Sequence, residues 1–163
     1  MALNFEKTTT SKYLMFKTGS QLYGLPIPPV LKVIVQEDII PLVDCPDHIK
    51  GTIISNDTVI PVIDLLFCLR SENTALSEHN SIIVLSIGQE LQGYLVDEVI
   101  EVTDILEKME VSTSLAEKPE RRFLDGMARL NDQDVFLVGV TNLLSITLTD
   151  IQEEILNEKL ENR

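Results

Sequence analysis

The residues able to do chemistry are few and scattered. The chain has two histidines, His48 and His79, and neither sits at ligand spacing from another donor. His48 lies in a strand-like run and reads as a packed or surface side chain, while His79 falls in a polar loop. Cys45 and Cys68 do not form C-x-x-C, so no zinc pattern exists. Cys68 sits among Leu66, Phe67 and Leu69 and reads as a small core filler; Cys45 precedes Pro46 in a turn-like stretch. Neither implies a disulfide in a reducing compartment. No G-x-S-x-G, H-E-x-x-H or P-loop spacing is present. The 26 carboxylates mostly lie in tails and loops and read as solvated surface. Asp64 and Asp97 differ, because each ends an apolar run. Capping exposed backbone suits them better than acid–base work. The expectation is no catalytic residue, no metal and no cofactor.

Charge narrows the partners. A net charge of −13 repels nucleic acid and anionic lipid at long range. The densest basic spot, Arg121-Arg122, is flanked by Glu117 and Glu120. Such acidity serves solubility or selects a partner with a basic face. No apolar run approaches the roughly 20 residues that a spanning helix needs, so direct membrane insertion is not expected. Residues 1–11 read as a flexible tail rather than a signal peptide, which makes a cytoplasmic protein the expectation.

The elements that carry these residues are short and β-prone. Two passages share the spacing G-x-x-L-x-G: Gly19-Ser-Gln-Leu22-Tyr-Gly24 and Gly88-Gln-Glu-Leu91-Gln-Gly93. Ile49-Lys-Gly51 is echoed by Leu124-Asp-Gly126, and Asp57 to Ile63 is echoed loosely by Asp134 to Val140. The order is kept, so one small β unit is used twice. Lys12 to Thr18 and Gln21 to Leu25 form a hairpin around Gly19-Ser20, a Gly-first turn of the II′ kind. Pro26, Pro28 and Pro29 interrupt the ladder. Val30 to Val35 is apolar but too short to type, and Ile39 to Val43, containing Pro41, is at best an edge strand. His48 to Ile54 and Val59 to Leu66 follow as strands about a turn at Asn56-Asp57. Leu69 to Asn80 is a linking loop or short helix. Ser81 to Ile87 and Leu91 to Val96 make the second hairpin. Val99 to Asp104 alternates, and Phe123 to Leu130 with Asp134 to Thr141 closes the β region. Eleven or more short strands suggest paired small barrels.

The C-terminus changes period. Leu148, Ile151, Ile155, Leu156 and Leu160 recur on one helical face, and Thr149 with Gln152 has capping-box spacing. The expected division is a tail over 1–11, a domain of two pseudo-repeated barrels over 12–147, and an amphipathic helix over 148–163.

Taken in order, Tyr13-Leu-Met-Phe16, Tyr23-Gly24, Ile49-Lys-Gly51, Val59-Ile-Pro61-Val-Ile-Asp64-Leu, Gly93-Tyr-Leu-Val96-Asp97-Glu-Val99 and Asn142-Leu-Leu144 resemble CheW-like domains. The resemblance covers Lys12 to Ser145. It implies an all-β fold of two intertwined five-stranded SH3-like barrels, with the amphipathic helix appended. It also implies a non-enzymatic adaptor that couples chemoreceptors to a CheA-type histidine kinase. Its partners would be the kinase regulatory domain and the helical cytoplasmic tip of a receptor, bound in the helix-in-groove mode. Localisation would be cytoplasmic, at a receptor array. A divergent CheW-like scaffold for pilus-based motility or polar localisation is the neighbouring alternative. A small acidic enzyme with an inter-barrel carboxylate site is the alternative of another class, and it would need convergent titratable groups in a pocket.

Departures from the family pattern locate the partner surface. The family's V-x-E-V stands here as Val30-Leu-Lys32-Val33, and its G-V-I-N-L-R-G as Gly51-Thr-Ile-Ile-Ser-Asn56-Asp57. Gly139 replaces a common Asp or Asn. The surface around Lys32, Val33, Asn56, Asp57 and Val99 is therefore the candidate partner-binding site. Lys32 and Asp57 are expected to form a polarity-reversed pair there, unless the two changes are unrelated.

Overall fold

The computed structural model describes residues 12–35, 38–70, 72–77, 80–87, 89–110, 123–140 and 143. The expected tail and C-terminal helix lie outside them. Ten strands and one helix are described. In chain order they are β1 (Lys12–Thr18), β2 (Gln21–Pro26), β3 (Val30–Val35), β4 (Ile49–Ser55), β5 (Thr58–Asp64), α1 (Leu65–Arg70), β6 (Ser81–Ile87), β7 (Glu90–Val96), β8 (Glu98–Asp104), β9 (Leu124–Leu130) and β10 (Gln133–Val138).

Two five-stranded sheets form, in the orders β8-β1-β2-β10-β9 and β3-β6-β7-β5-β4. The halves are interleaved. β3 follows β2 in the chain but pairs with β6 in the other sheet, and β8 follows β7 but pairs with β1. Each half thus lends the other a strand, as the family resemblance implied. Past β3 the chain returns to β4 through paired backbone bonds between Ile40 and Thr52, and past β8 it returns to β9 through Met109 and Met127. These bridges join the first and last strands of each sheet, removing most of the open edge.

β1, β6 and β7 are apolar runs rather than alternating ones because both of their faces are covered. Tyr13 and Met15 of β1 point into one barrel with Ala128, Val135 and Leu137. Their neighbours Leu14 and Phe16 point into a shared core with Ile63, Ile83, Leu85, Tyr94 and Val96. β6 repeats this arrangement: Ile82 and Val84 fill the second barrel with Ile53, Ile60 and Val62, while Ile83 and Leu85 face the shared core. Phe16 stacks on Tyr23 there at 5.6 Å between ring centroids.

The internal repeat is tighter in space than in sequence. Asn56-Asp57 and Asn131-Asp132 are matching turns, all four residues with positive φ of 50, 63, 49 and 64°. The echo therefore runs from Asp57 to Asp132, not to Asp134. Gly51 and Gly126 sit at matching bulges, where Ile49↔Ile63 steps to Gly51↔Val62 and Leu124↔Val138 to Gly126↔Leu137. A Cβ on Gly51 would lie 2.1 Å from the Ile40 carbonyl oxygen, and one on Gly126 would lie 2.7 Å from that of Met109. The returning chain passes too close for any side chain in both halves.

Four expectations are corrected. Gly19 and Ser20 both have positive φ, 59 and 66°, the I′ pattern rather than II′. That pattern matches the twist of the flanking strands. Val30–Val35 is a full strand, because β6 supplies its ladder. Ile39 to Val43 is reduced to the single bridge at Ile40, since Pro41 has no N–H to extend it. The strand from Val59 ends at Asp64, and Leu65 and Leu66 begin α1 instead.

Candidate functional site

Asp64 is the most constrained polar group near the proposed surface. It is fully buried and accepts bonds from the Thr74 amide (2.8 Å) and the Thr74 hydroxyl (2.5 Å). Its other oxygen-to-amide contact, with Phe67 at 3.4 Å, places it as the N-cap of α1. Lys50 approaches it at 3.5 Å. Asp97 accepts the Gly19 amide at 3.0 Å, and Arg70 donates to the Gly19 carbonyl at 2.9 Å, so the β1–β2 turn is held on two sides. Both carboxylates cap backbone, as their positions at strand ends suggested.

Two titrations respond to burial and pairing. Burial raises the Tyr23 phenol above its ordinary value, against the lowering effect of Arg70. The hydrogen bond to Asp125 raises the Lys108 ammonium, with desolvation opposing.

The residues singled out from sequence fall into two groups. The Lys32 ammonium bonds the Ser55 hydroxyl, which lies one residue before the Asn56-Asp57 turn. β3 and β4 are the two outer strands of one sheet, so this bond crosses the seam where the barrel closes. Asn56 and Asp57 are exposed at the tip of the β4–β5 hairpin. Among the described residues no ion pair joins Lys32 to Asp57; the lysine is taken by Ser55 instead. Val33 and Val99 form the second group. They come from different sheets, and both pack half-buried against the shared core. The register places Val33 opposite Ile83 and Val99 opposite Phe16.

Several exposed apolar side chains escaped the sequence reading. Ile100 and Val102 stand on β8 between Glu98, Glu101 and Asp104, and Leu106 follows at 85% exposure. Leu42, Val43, Ile54 and Val59 are exposed on the other barrel. For Ile54 and Val59 the signal was present in the alternation of β4 and β5, but alternation alone cannot say which parity faces water. Cys68 packs against the shared core and Cys45 is half-buried; neither is joined in a disulfide.

The comparisons with known proteins agree with this architecture. The CheW-like domain family matches residues 12–147. The chemotaxis protein CheW of Klebsiella aerogenes is 27% identical over 140 residues, covering 85% of this chain and 84% of its own length. The crystal structure of the scaffolding protein TtCheW from Thermoanaerobacter tengcongensis superposes with a TM-score of 0.69 at 27% identity, covering 79% of this chain and 84% of that one. Proteins of this family are scaffolds in chemotaxis signalling rather than enzymes. With its two interleaved five-stranded sheets and a family match across nearly all of its β region, the chain belongs to the CheW-like domain family and is a chemotaxis-type scaffold.

Proposed function

We propose that this chain couples a chemoreceptor to the regulatory domain of a CheA-type histidine kinase, by binding alone. The observation that carries the reading is that Val33 and Val99 both pack against the core the two sheets share. They are apolar residues from separate sheets that surface, half-buried, over the one core the sheets share. A partner seated there would touch both barrels, as the helical tip of a receptor must. The acids of β8 around Ile100 and Val102 add an apolar stripe with a charged border. Lys32, Asn56 and Asp57 form the selective edge of this surface. Among the described residues no helix is long and apolar enough to cross a membrane. The protein would act in the cytoplasm and reach the membrane array through its partners.

The test is binding of the purified chain to the receptor tip and the kinase from the same organism, separately and together. Submicromolar binding to both is expected, with one ternary complex. Binding to neither would overturn the reading. Because Lys32 and Asn56 replace a family acid and base, binding to a receptor tip matched to the usual residues should be weak. The triple change Lys32→Glu, Asn56→Arg and Asp57→Gly should strengthen it.

A further inference from the structure

The chain passes between the two sheets twice, and the two crossings are built differently. The first runs from β2 to β3 through Ile27, Pro28 and Pro29, and the second from β7 to β8 through Asp97 alone. Asp97 is held twice: its amide donates to the Lys17 carbonyl at 3.1 Å, and its carboxylate accepts the Gly19 amide at 3.0 Å. Among the described residues the first crossing is closed by one backbone bond, from the Val30 amide to the Ile27 carbonyl at 2.8 Å. The bonds beside it do not span the crossing. Ile27 donates to Lys12 on its own hairpin, and Pro29 accepts from Ser86 in the sheet that β3 joins.

That first crossing is a turn with Pro28 and Pro29 at its centre. The proline pair opposes the closed form. A type I turn needs a helical backbone at Pro28, and the ring of Pro29 disfavours that conformation in the residue before it. A type II turn needs a positive φ at Pro29, which the proline ring forbids. An extended segment suits both rings. Opening the hinge therefore gives up one hydrogen bond and returns both prolines to a favoured backbone.

What hangs on the hinge is a complete unit. β1 and β2 pair from Tyr13↔Pro26 to Thr18↔Gln21 about a tight turn, so the hairpin forms from local contacts. Its other partners are remote in the chain: Tyr13 meets Thr103 on β8, and Leu22 meets Val135 on β10. The hairpin must wait for them, and an identical copy offers the same two strands.

We infer that two copies of this chain exchange their β1–β2 hairpins about the Ile27–Val30 hinge, giving a closed twofold dimer. Each copy lays its hairpin on the other's β8 and β10 and receives one in return. The exchange remakes the contacts of the monomer between chains, except for the Val30–Ile27 bond. A dimer pressed face to face would have to bury new acidic surface, at a net charge of −13 per copy. The exchange needs no new face. The inference concerns self-assembly and goes beyond the coupling role proposed above.

The test mixes two full-length variants, Lys12→Cys and Asp104→Cys, at high protein concentration. Lys12 and Asp104 are exposed, face each other across β1 and β8, and form an ion pair at 3.3 Å. The mixture is warmed to near the melting midpoint, cooled and oxidised; wild type treated alike gives the background from Cys45 and Cys68. Light scattering should show a dimer, and peptide mass spectrometry a disulfide joining positions 12 and 104 of different chains. One chain carrying both substitutions checks that the pair closes within a monomer, and Lys17→Cys with Glu98→Cys replaces it if it does not. Pro28→Ala with Pro29→Ala should cut the dimer fraction about tenfold, and Pro29→Ala alone serves if the double variant unfolds. Monomer at every concentration would overturn the inference, as would a dimer without the cross-chain bond. A dimer fraction unmoved by loss of the prolines would overturn it too, because the hinge would not be what drives the exchange.

Discussion

Replacing Asp64 by alanine should be among the most damaging single changes in the chain. The carboxylate is fully buried and accepts both the amide and the hydroxyl of Thr74, at 2.8 and 2.5 Å. Alanine would leave those two donors in a dry site without an acceptor. Each orphaned donor costs roughly 1–3 kcal/mol. The Lys50 contact adds little, because its side chain is 27% exposed and can turn to water. The sum is about 3 kcal/mol, which for a domain of this size lowers the melting midpoint by roughly 6–12 °C. Differential scanning calorimetry on the wild type and Asp64→Ala reads this directly. Thr74→Val, which removes only the hydroxyl, should cost about a third as much. The other half supplies the contrast. At Gly139, the position matching Asp64, the backbone bond to Phe123 is kept at 2.6 Å while no carboxylate exists. The Asp64 backbone bond to His48, at 2.7 Å, is its counterpart. If Asp64→Ala shifts the midpoint by less than about 2 °C, the carboxylate is not what holds the loop at Thr74, and the ladder alone suffices.

Glycine substitutions should rank by what the added methyl meets. Gly51→Ala is worst, since it strikes the Ile40 carbonyl at a φ of 146°; Gly126→Ala follows; Gly24→Ala, which meets the movable end of Leu137 at 3.0 Å, is mildest. Melting midpoints in any other order would refute the close-approach account. Alkaline pH should destabilise the fold. Tyr23 and Lys108 both have raised pKa values, so their contribution is complete below the ordinary range near pH 10 and is lost as pH rises through the folded values. Tyr23→Phe should flatten the fall of the midpoint above the ordinary tyrosine range near pH 10, and an unchanged slope would exclude burial of the phenol as its cause. Arg70→Ala should loosen the β1–β2 turn, read as faster amide exchange at Gly19 and Ser20 and little change at the Asn131-Asp132 turn.

Much of the fold was legible in the sequence because its signals are local. Gly19, Asn56-Asp57 and Asn131-Asp132 mark turns through their own backbone preferences. The apolar runs of β1, β6 and β7 mark strands covered on both faces, and Asp64 and Asp97 announce caps by standing where such runs end. The all-β class, the twofold repeat and the family followed from these. What the tertiary structure decided is non-local. The exchange of β3 and β8 between sheets depends on which edge each meets across the molecule, and six residues such as Val30–Val35 carry no mark of that partner. The same holds for the site. Lys32 was singled out as an altered charge paired with Asp57, but its bond runs to Ser55 across a barrel seam. Ile54 and Val59 read as ordinary strand residues until the pleat and the packed inner face leave them in water. A strand's alternation says that one face is buried, and only the packing of the second sheet says which.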